Sequence, residues 1–127
     1  MKKIGFITAN RVLAQSLAAA VRNSPDLKME PFLLLNSHQA ALDADLARID
    51  IAVIDVMDVT SKETETALSL CEKMRQTIPG CRLLLLVSSD NEKGCKMAIG
   101  AVKSKTADDF VFYDTPLEYL LAKLAAF

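Results

Sequence analysis

Charge of one sign, long apolar runs, glycine and histidine are all scarce in this 127-residue sequence, and each shortage removes a class of function. Lys and Arg number 15 against 16 Asp and Glu, a formal charge of -1, so the strongly basic footprint of a dedicated nucleic-acid binder is missing. Apolar runs such as Pro31 to Leu35 and Leu83 to Val87 are five residues long, against the roughly 20 needed to cross a bilayer. No membrane span is expected. Met1-Lys2-Lys3 leads into too few apolar residues before Thr8 and Asn10 for a secretory h-region, so a cytoplasmic protein is expected. The three cysteines, Cys71, Cys81 and Cys95, contain no C-x-x-C pair and read as buried or half-buried free thiols. His38 is the single histidine, which makes His triads and multi-His metal sites hard to build; it reads as a polar residue in the first turn of a helix.

What remains is an ordinary globular composition, 51% hydrophobic and 24% charged, enough for one domain over residues 1–127 with a single core. Five short strands are expected at Ile4 to Thr8, Met29 to Leu35, Ile51 to Val56, Leu83 to Val87 and Phe110 to Tyr113. An amphipathic helix follows each. The expected buried stripes are Leu13, Leu17, Ala20 and Val21; Leu42, Leu46 and Ile49; Ala67, Cys71, Met74 and Ile78; Cys95, Ala98, Ile99 and Val102; and Leu117, Leu120, Leu121 and Leu124. Capping boxes are expected at Thr60 to Glu63, Ser89 to Glu92 and Thr115 to Glu118, with Pro116 at the first helical position. Asn23-Ser24-Pro25 and Pro79-Gly80 should end the first and third helices.

Strictly alternating strands and helices give an α/β fold, a parallel sheet with helices on both faces joined by right-handed crossovers. Ile51 to Ile54 and Leu83 to Val87 read as central strands, whereas Pro31 demands an edge for the second strand. Together these predict a flavodoxin-like three-layer αβα sandwich, (βα)5, with strand order 2-1-3-4-5. Ligands of such sheets sit beyond the carboxyl ends of the strands, here Thr8 to Asn10, Asp55 to Asp58, Ser88 to Asn91, and Tyr113 with Asp114. Thr8-Ala9-Asn10-Arg11-Val12 holds no glycine, so nucleotide binding through a Gly-rich phosphate loop is not expected.

Asp50-Ile51-Ala52-Val53-Ile54-Asp55 resembles the D-L-V-L-L-D of response-regulator receiver domains in two-component signalling, and Ala107-Asp108-Asp109-Phe110-Val111-Phe112-Tyr113 resembles their G-A-D-D-Y-L-x-K. The likeness runs the length of the chain, including Asn10 to Lys28 at the first helix and Leu117 to Ala122 at the last. It implies Asp55 as phosphoacceptor, and Ser88 and Phe110 as the switch hydroxyl and switch aromatic. It further implies a protein partner, whether a histidine kinase, an output domain or a regulatory protein, and a homodimer through the fourth helix, fifth strand and fifth helix.

The family's two acids at the end of the first strand are replaced by Thr8 and Ala9, its lysine by Tyr113 and the following proline by Asp114. Asp55 alone would anchor Mg²⁺ weakly, with Asp58 a further acid nearby. No other cofactor is expected. Losing one preorganised contact in phosphoryl transfer typically costs on the order of 10²-fold or more in rate. The expectation is therefore an atypical pseudo-receiver that acts by protein–protein interaction and is not an enzyme. A working phosphoacceptor with an unconventional metal site is one alternative, and a flavodoxin-like small-ligand-binding domain or small enzyme using the same rim is another.

Two surfaces stand out. Lys93, Lys96, Lys103 and Lys105 gather on or beside the fourth helix, by default a solvated face and in the alternative a surface for an acidic partner through Lys96 and Lys103. From Leu117 to Phe127 the charged residues are Glu118 and Lys123, so Tyr119, Ala122 and Ala126 form a second, apolar stripe for an interface. The chain ends where the fifth helix should end, so no output domain is expected within it.

Overall fold

The computed structural model describes residues 1–56 and 61–127, with side chains described for 1–56 and 66–127. Strands β1 (Lys2–Ile7), β2 (Met29–Leu34), β3 (Ile51–Val56), β4 (Arg82–Val87) and β5 (Asp109–Phe112) alternate with helices α1 (Arg11–Arg22), α2 (Ala40–Ala47), α3 (Ser61–Thr77), α4 (Glu92–Lys103) and α5 (Leu117–Ala125). All strands pair in parallel, in the order β2-β1-β3-β4-β5. This is the flavodoxin-like sandwich expected from the sequence. Pro31 lies in β2 at the edge, where its missing N–H costs the sheet nothing. Alternate residues of the sheet separate two cores. Ile4, Phe6, Ile51, Val53, Leu84 and Leu86 meet α1 and α5, whereas Ala52, Ile54, Leu83 and Leu85 meet α2, α3 and α4.

Small residues, not the largest ones, face the sheet from two helices. In α2 the buried side is Ala40, Ala41 and Ala44, while Leu42 and Leu46, expected inside, are 58% and 74% exposed. Ile49 is buried, but only after Arg48 ends the helix in the left-handed conformation. In α4 the buried residues are Gly94, Ala98 and Ala101, and Ile99 is 42% exposed. Alanine and glycine let a helix axis approach the sheet closely; leucine or isoleucine at the same height would hold it off. Gly94 shows this directly, since a Cβ there would collide with the Asn91 side chain and sit 3.0 Å from Val87 Cγ2. The α3 stripe is as expected, with Ala67, Cys71 and Met74 buried and Ile78 half-buried.

Helix starts also differ from expectation. Asn91, not Ser89, caps α4, its Oδ1 accepting from the Gly94 amide at 2.9 Å. Pro116 is itself the N-cap of α5, so Thr115 does not cap it. His38 lies exposed in the turn before α2 rather than in its first turn, its amide donating to Asn36 Oδ1 at 3.0 Å. The expected box at Thr60 to Glu63 falls outside the described side chains. Burial pushes the Cys71 and Cys81 thiols up to about 12, which leaves them unreactive at neutral pH. Cys95 is a half-buried free thiol. Among the described residues no helix is long and apolar enough to cross a membrane.

At the amino ends of β4 and β5, Asp108 fastens the sheet to α3. Its Oδ2 accepts from Arg75 at 3.0 Å and from the Leu83 amide at 2.8 Å, and its Oδ1 accepts from Arg82 at 3.2 Å. Arg75 also donates to the carbonyls of Thr106 and Cys81, at 3.3 and 3.2 Å. Burial pushes the Asp108 carboxyl up, but these hydrogen bonds and the Arg75 charge outweigh it and hold the group below the usual range.

Candidate functional site

Side chains alternate across a strand, so the pattern that buries Ile4 and Phe6 of β1 and Ile51 and Val53 of β3 continues outward to Thr8 and Asp55. Ile7 pairs with Ile54, which sets Thr8 and Asp55 side by side at the carboxyl rim. Thr8 is buried and donates from Oγ1 to Asp55 Oδ2 at 2.5 Å. The same hydroxyl oxygen accepts from the Asn10 amide at 3.0 Å, and Asn10 in turn caps α1 by accepting from the Leu13 amide at 3.1 Å. Helix α1 therefore begins on a loop that also orients the Thr8 hydroxyl.

Tyr113 approaches from the other side. It lies one residue past β5, on the same alternation as Val111, and its amide donates to the Val87 carbonyl at 3.0 Å. Its hydroxyl donates to Asp55 Oδ1. Asp55 pairs with Leu86 and Leu86 with Val111, so this hydrogen bond spans the end of β4. Each carboxylate oxygen of Asp55 is thus engaged by a neutral hydroxyl. Burial pushes the Asp55 carboxyl above its ordinary range, and the hydrogen bond from Thr8 recovers part of the shift.

Receiver resemblance implies Mg²⁺ here, and the described residues do not fit it. Mg²⁺ wants oxygen ligands in near-octahedral array, with one or two carboxylates supplementing phosphate and water. Thr8 Oγ1 already accepts from the Asn10 amide, Ala9 has no side-chain oxygen, and Asp55 is the single carboxylate left of the three that the resemblance implies. Among the described residues no three His, Cys, Asp or Glu gather as a metal site. Met57 and Asp58 lie outside the described residues. Tyr113 supplies a hydrogen bond where the family lysine would supply a positive charge.

Other expected site residues stand apart from this cluster. Ser88 is half-buried just past β4, and its hydroxyl accepts from the Asp90 amide at 3.2 Å while its carbonyl accepts from the Asn91 amide at 3.0 Å. These bonds build the turn into α4. Phe110 is half-buried against the core that includes α3 and α4, its ring edge-on to Phe112 at 5.6 Å. Tyr119 is 54% exposed, and Ala122 and Ala126 are exposed beside it. Lys96 and Lys103 are exposed on α4. Lys123 Nζ donates to Asp109 Oδ2 at 2.5 Å and lies 5.3 Å from the Tyr119 ring centroid, and the partnership with Asp109 raises the lysine. One of the two α5 charges is thereby neutralised. Phe110, Phe112, Pro116 and Tyr119 contribute to a depression of about 450 Å³ between β5 and α5.

The sequence places Thr8 and Tyr113 at the ligand rim and as replacements for family residues, but not as partners of Asp55. That both turn their hydroxyls onto Asp55 depends on strand register and loop path, which no local motif encodes.

No family model and no curated protein matches the chain. Solved structures do. A two-component response regulator from Clostridium difficile is 19% identical with a TM-score of 0.78, covering 99% of this chain and 94% of its own. A CheY-like response regulator receiver domain protein from Methanospirillum hungatei JF-1 is 14% identical with a TM-score of 0.78, covering 99% and 92%. A putative pilus assembly protein from Burkholderia thailandensis is 18% identical with a TM-score of 0.72, and the match covers 100% of both chains. The chain has the fold of response-regulator receiver domains.

Proposed function

We propose that this chain is a receiver-like module of two-component signalling that works by protein–protein interaction, without phosphorylation of Asp55 and without enzymatic activity. One observation carries the reading: the oxygens of Asp55 are capped by the hydroxyls of Thr8 and Tyr113. A phosphoacceptor aspartate must present an oxygen to phosphorus while metal and lysine charge stabilise the phosphoryl group. Here the oxygens are engaged and the expected charges are replaced by hydrogen bonds. The likeness of the full chain to a putative pilus assembly protein supports a use of this fold outside the response regulators themselves.

The partner is a histidine kinase, an output domain or a regulatory protein. A second copy of the chain pairs through α4, β5 and α5, where Phe112, Pro116, Tyr119 and Ala122 are exposed. Lys96 and Lys103 face acidic groups on the partner.

The test is amide NMR with Mg²⁺ and beryllium fluoride, a phosphoryl mimic. Signals of Asp55, Ser88 and Phe110 are expected to stay in place. Saturable movement of all three would establish a working phosphoacceptor and overturn the reading. The triple variant Thr8→Asp, Ala9→Asp, Tyr113→Lys removes the caps and supplies the missing charges, and is expected to gain the response. Sedimentation tests pairing separately: a dimer that Tyr119→Glu dissociates is expected, and a monomer at high micromolar concentration refutes the interface.

A further inference from the structure

A cavity of about 240 Å³ opens between α1 and α5, bordering the surface proposed for pairing at Phe112 and Thr115. Its base is Leu86, Val111 and Leu120, all buried. Leu117, 46% exposed, stands at the way in, and Tyr113 and Thr115 are its polar lining residues. Every lining residue is neutral at pH 7, so nothing there rewards a charged ligand. Apolar cavities of roughly 150 Å³ hold benzene. This one is larger, and an apolar wall with a few polar groups is the usual form of a small-molecule site.

We propose that the α1–α5 cavity binds a small neutral aromatic molecule of one or two rings, and that Tyr113 reports its occupancy to Asp55. Tyr113 belongs to both places: it lines the cavity and it donates to Asp55. The two places are also neighbours in the packing. A narrow seam with no room for water extends from the cavity residues Leu13, Leu17 and Leu86 to Thr8 and Asp55. A ring seated on Leu86 and Val111 presses on the Tyr113 side chain and alters its hydrogen bond to Asp55. The signal is then a ligand at the flank of the sheet instead of a phosphoryl group at its rim. Binding in the cavity does not depend on whether Asp55 accepts a phosphoryl group, so it stands or falls apart from the reading above.

Indole, a neutral two-ring compound, is the probe, titrated into the isotopically labelled protein and followed by amide NMR. Saturable shifts are expected at Val111, Thr115 and Leu117, extending to Asp55, with a dissociation constant of roughly 0.1–1 mM. Leu117→Trp places a ring at the mouth of the cavity on a half-exposed position, and is expected to weaken indole by about tenfold or more. Tyr113→Phe keeps the ring but not the hydroxyl; indole should still shift Val111 and Leu117 while the Asp55 shift is lost. Leu46→Ala, on the exposed side of α2, should leave the titration unchanged. The binding site is refuted by the absence of saturable shifts up to about 5 mM, by shifts centred on Tyr119 and Lys123, or by an unchanged titration in Leu117→Trp. Persistence of the Asp55 shift in Tyr113→Phe refutes the reporting role alone.

Discussion

Asp55 and Asp108 stand at opposite ends of one parallel sheet, in opposite electrostatic surroundings. Asp108 takes two guanidinium groups and a backbone amide, and its carboxyl is held below the ordinary range. Asp55 takes two hydroxyls and is pushed above it by burial. Cationic partners have been placed around the carboxylate that fastens α3 to β4, and are missing around the one at the rim where parallel sheets place their ligands. Ionised Asp108 is an anchor; ionised Asp55 is a modest cost that the Thr8 hydroxyl reduces.

The largest test of this contrast removes the cationic side of the anchor. Arg75→Ala deletes the 3.0 Å contact to Asp108 together with the donors to the Thr106 and Cys81 carbonyls. A loss of about 2–3 kcal/mol in unfolding free energy is expected, read from urea denaturation at pH 7. The sign with pH follows from the lowered carboxyl. Its contribution is complete above the unfolded pKa of about 3.9 and disappears as pH falls through the lower folded value. The wild type should therefore lose the Asp108 share of its advantage over Arg75→Ala in that acid window and keep the share that comes from the Thr106 and Cys81 carbonyls. An advantage that persists unchanged at the lowest pH would assign it to arginine packing rather than to the charge.

The two ends were not equally legible in the sequence. Strand count, order and direction followed from local patterns such as Pro31 at an edge and the apolar runs Ile51 to Ile54 and Leu83 to Val87, because burial on both faces leaves a one-dimensional trace. Position Asp55 at the rim followed from the same trace. Helix faces were less legible: Leu42, Leu46 and Ile99 were expected inside and lie outside, since inter-layer spacing chose alanine over leucine and spacing is a tertiary quantity. Capping was read one or two residues early at α4 and α5 because Ser89 and Thr115 fit the local motif, while chain path made Asn91 and Pro116 the caps. The Arg75–Asp108 contact joins residues 33 apart and left no local mark.

At the rim, Asp55→Asn removes the charge and keeps the shape. An amide can accept from one hydroxyl and donate to the oxygen of the other. Because burial raises the Asp55 carboxyl, ionisation favours the unfolded chain, and the variant should be more stable at pH 7. Solvent at the rim screens part of that charge, which limits the gain to about 0.5–1 kcal/mol. The pH signature is opposite to that of Asp108: acidification through the raised folded pKa protonates wild-type Asp55 and should erase the gain. A destabilised Asn variant at pH 7 would mean that the carboxylate holds the rim together and that the contrast with Asp108 is false.

The smallest effect belongs to Tyr113→Phe, and it isolates the hydroxyl. The tyrosine is 42% exposed, so water can replace its donation to Asp55, and its amide bond to the Val87 carbonyl at 3.0 Å does not depend on the side chain. A loss of about 0.5 kcal/mol or less is expected in urea denaturation. Local opening is a more sensitive readout than global unfolding, because the segment from Tyr113 to Asp114 is exposed and lies beyond the last strand. Faster amide exchange at Tyr113 with little change in the core strands would show a hydroxyl that orders the rim without anchoring the fold. A loss comparable to that of Arg75→Ala would instead make the Tyr113–Asp55 contact a second anchor, and the two ends of the sheet would then differ in chemistry but not in mechanical importance.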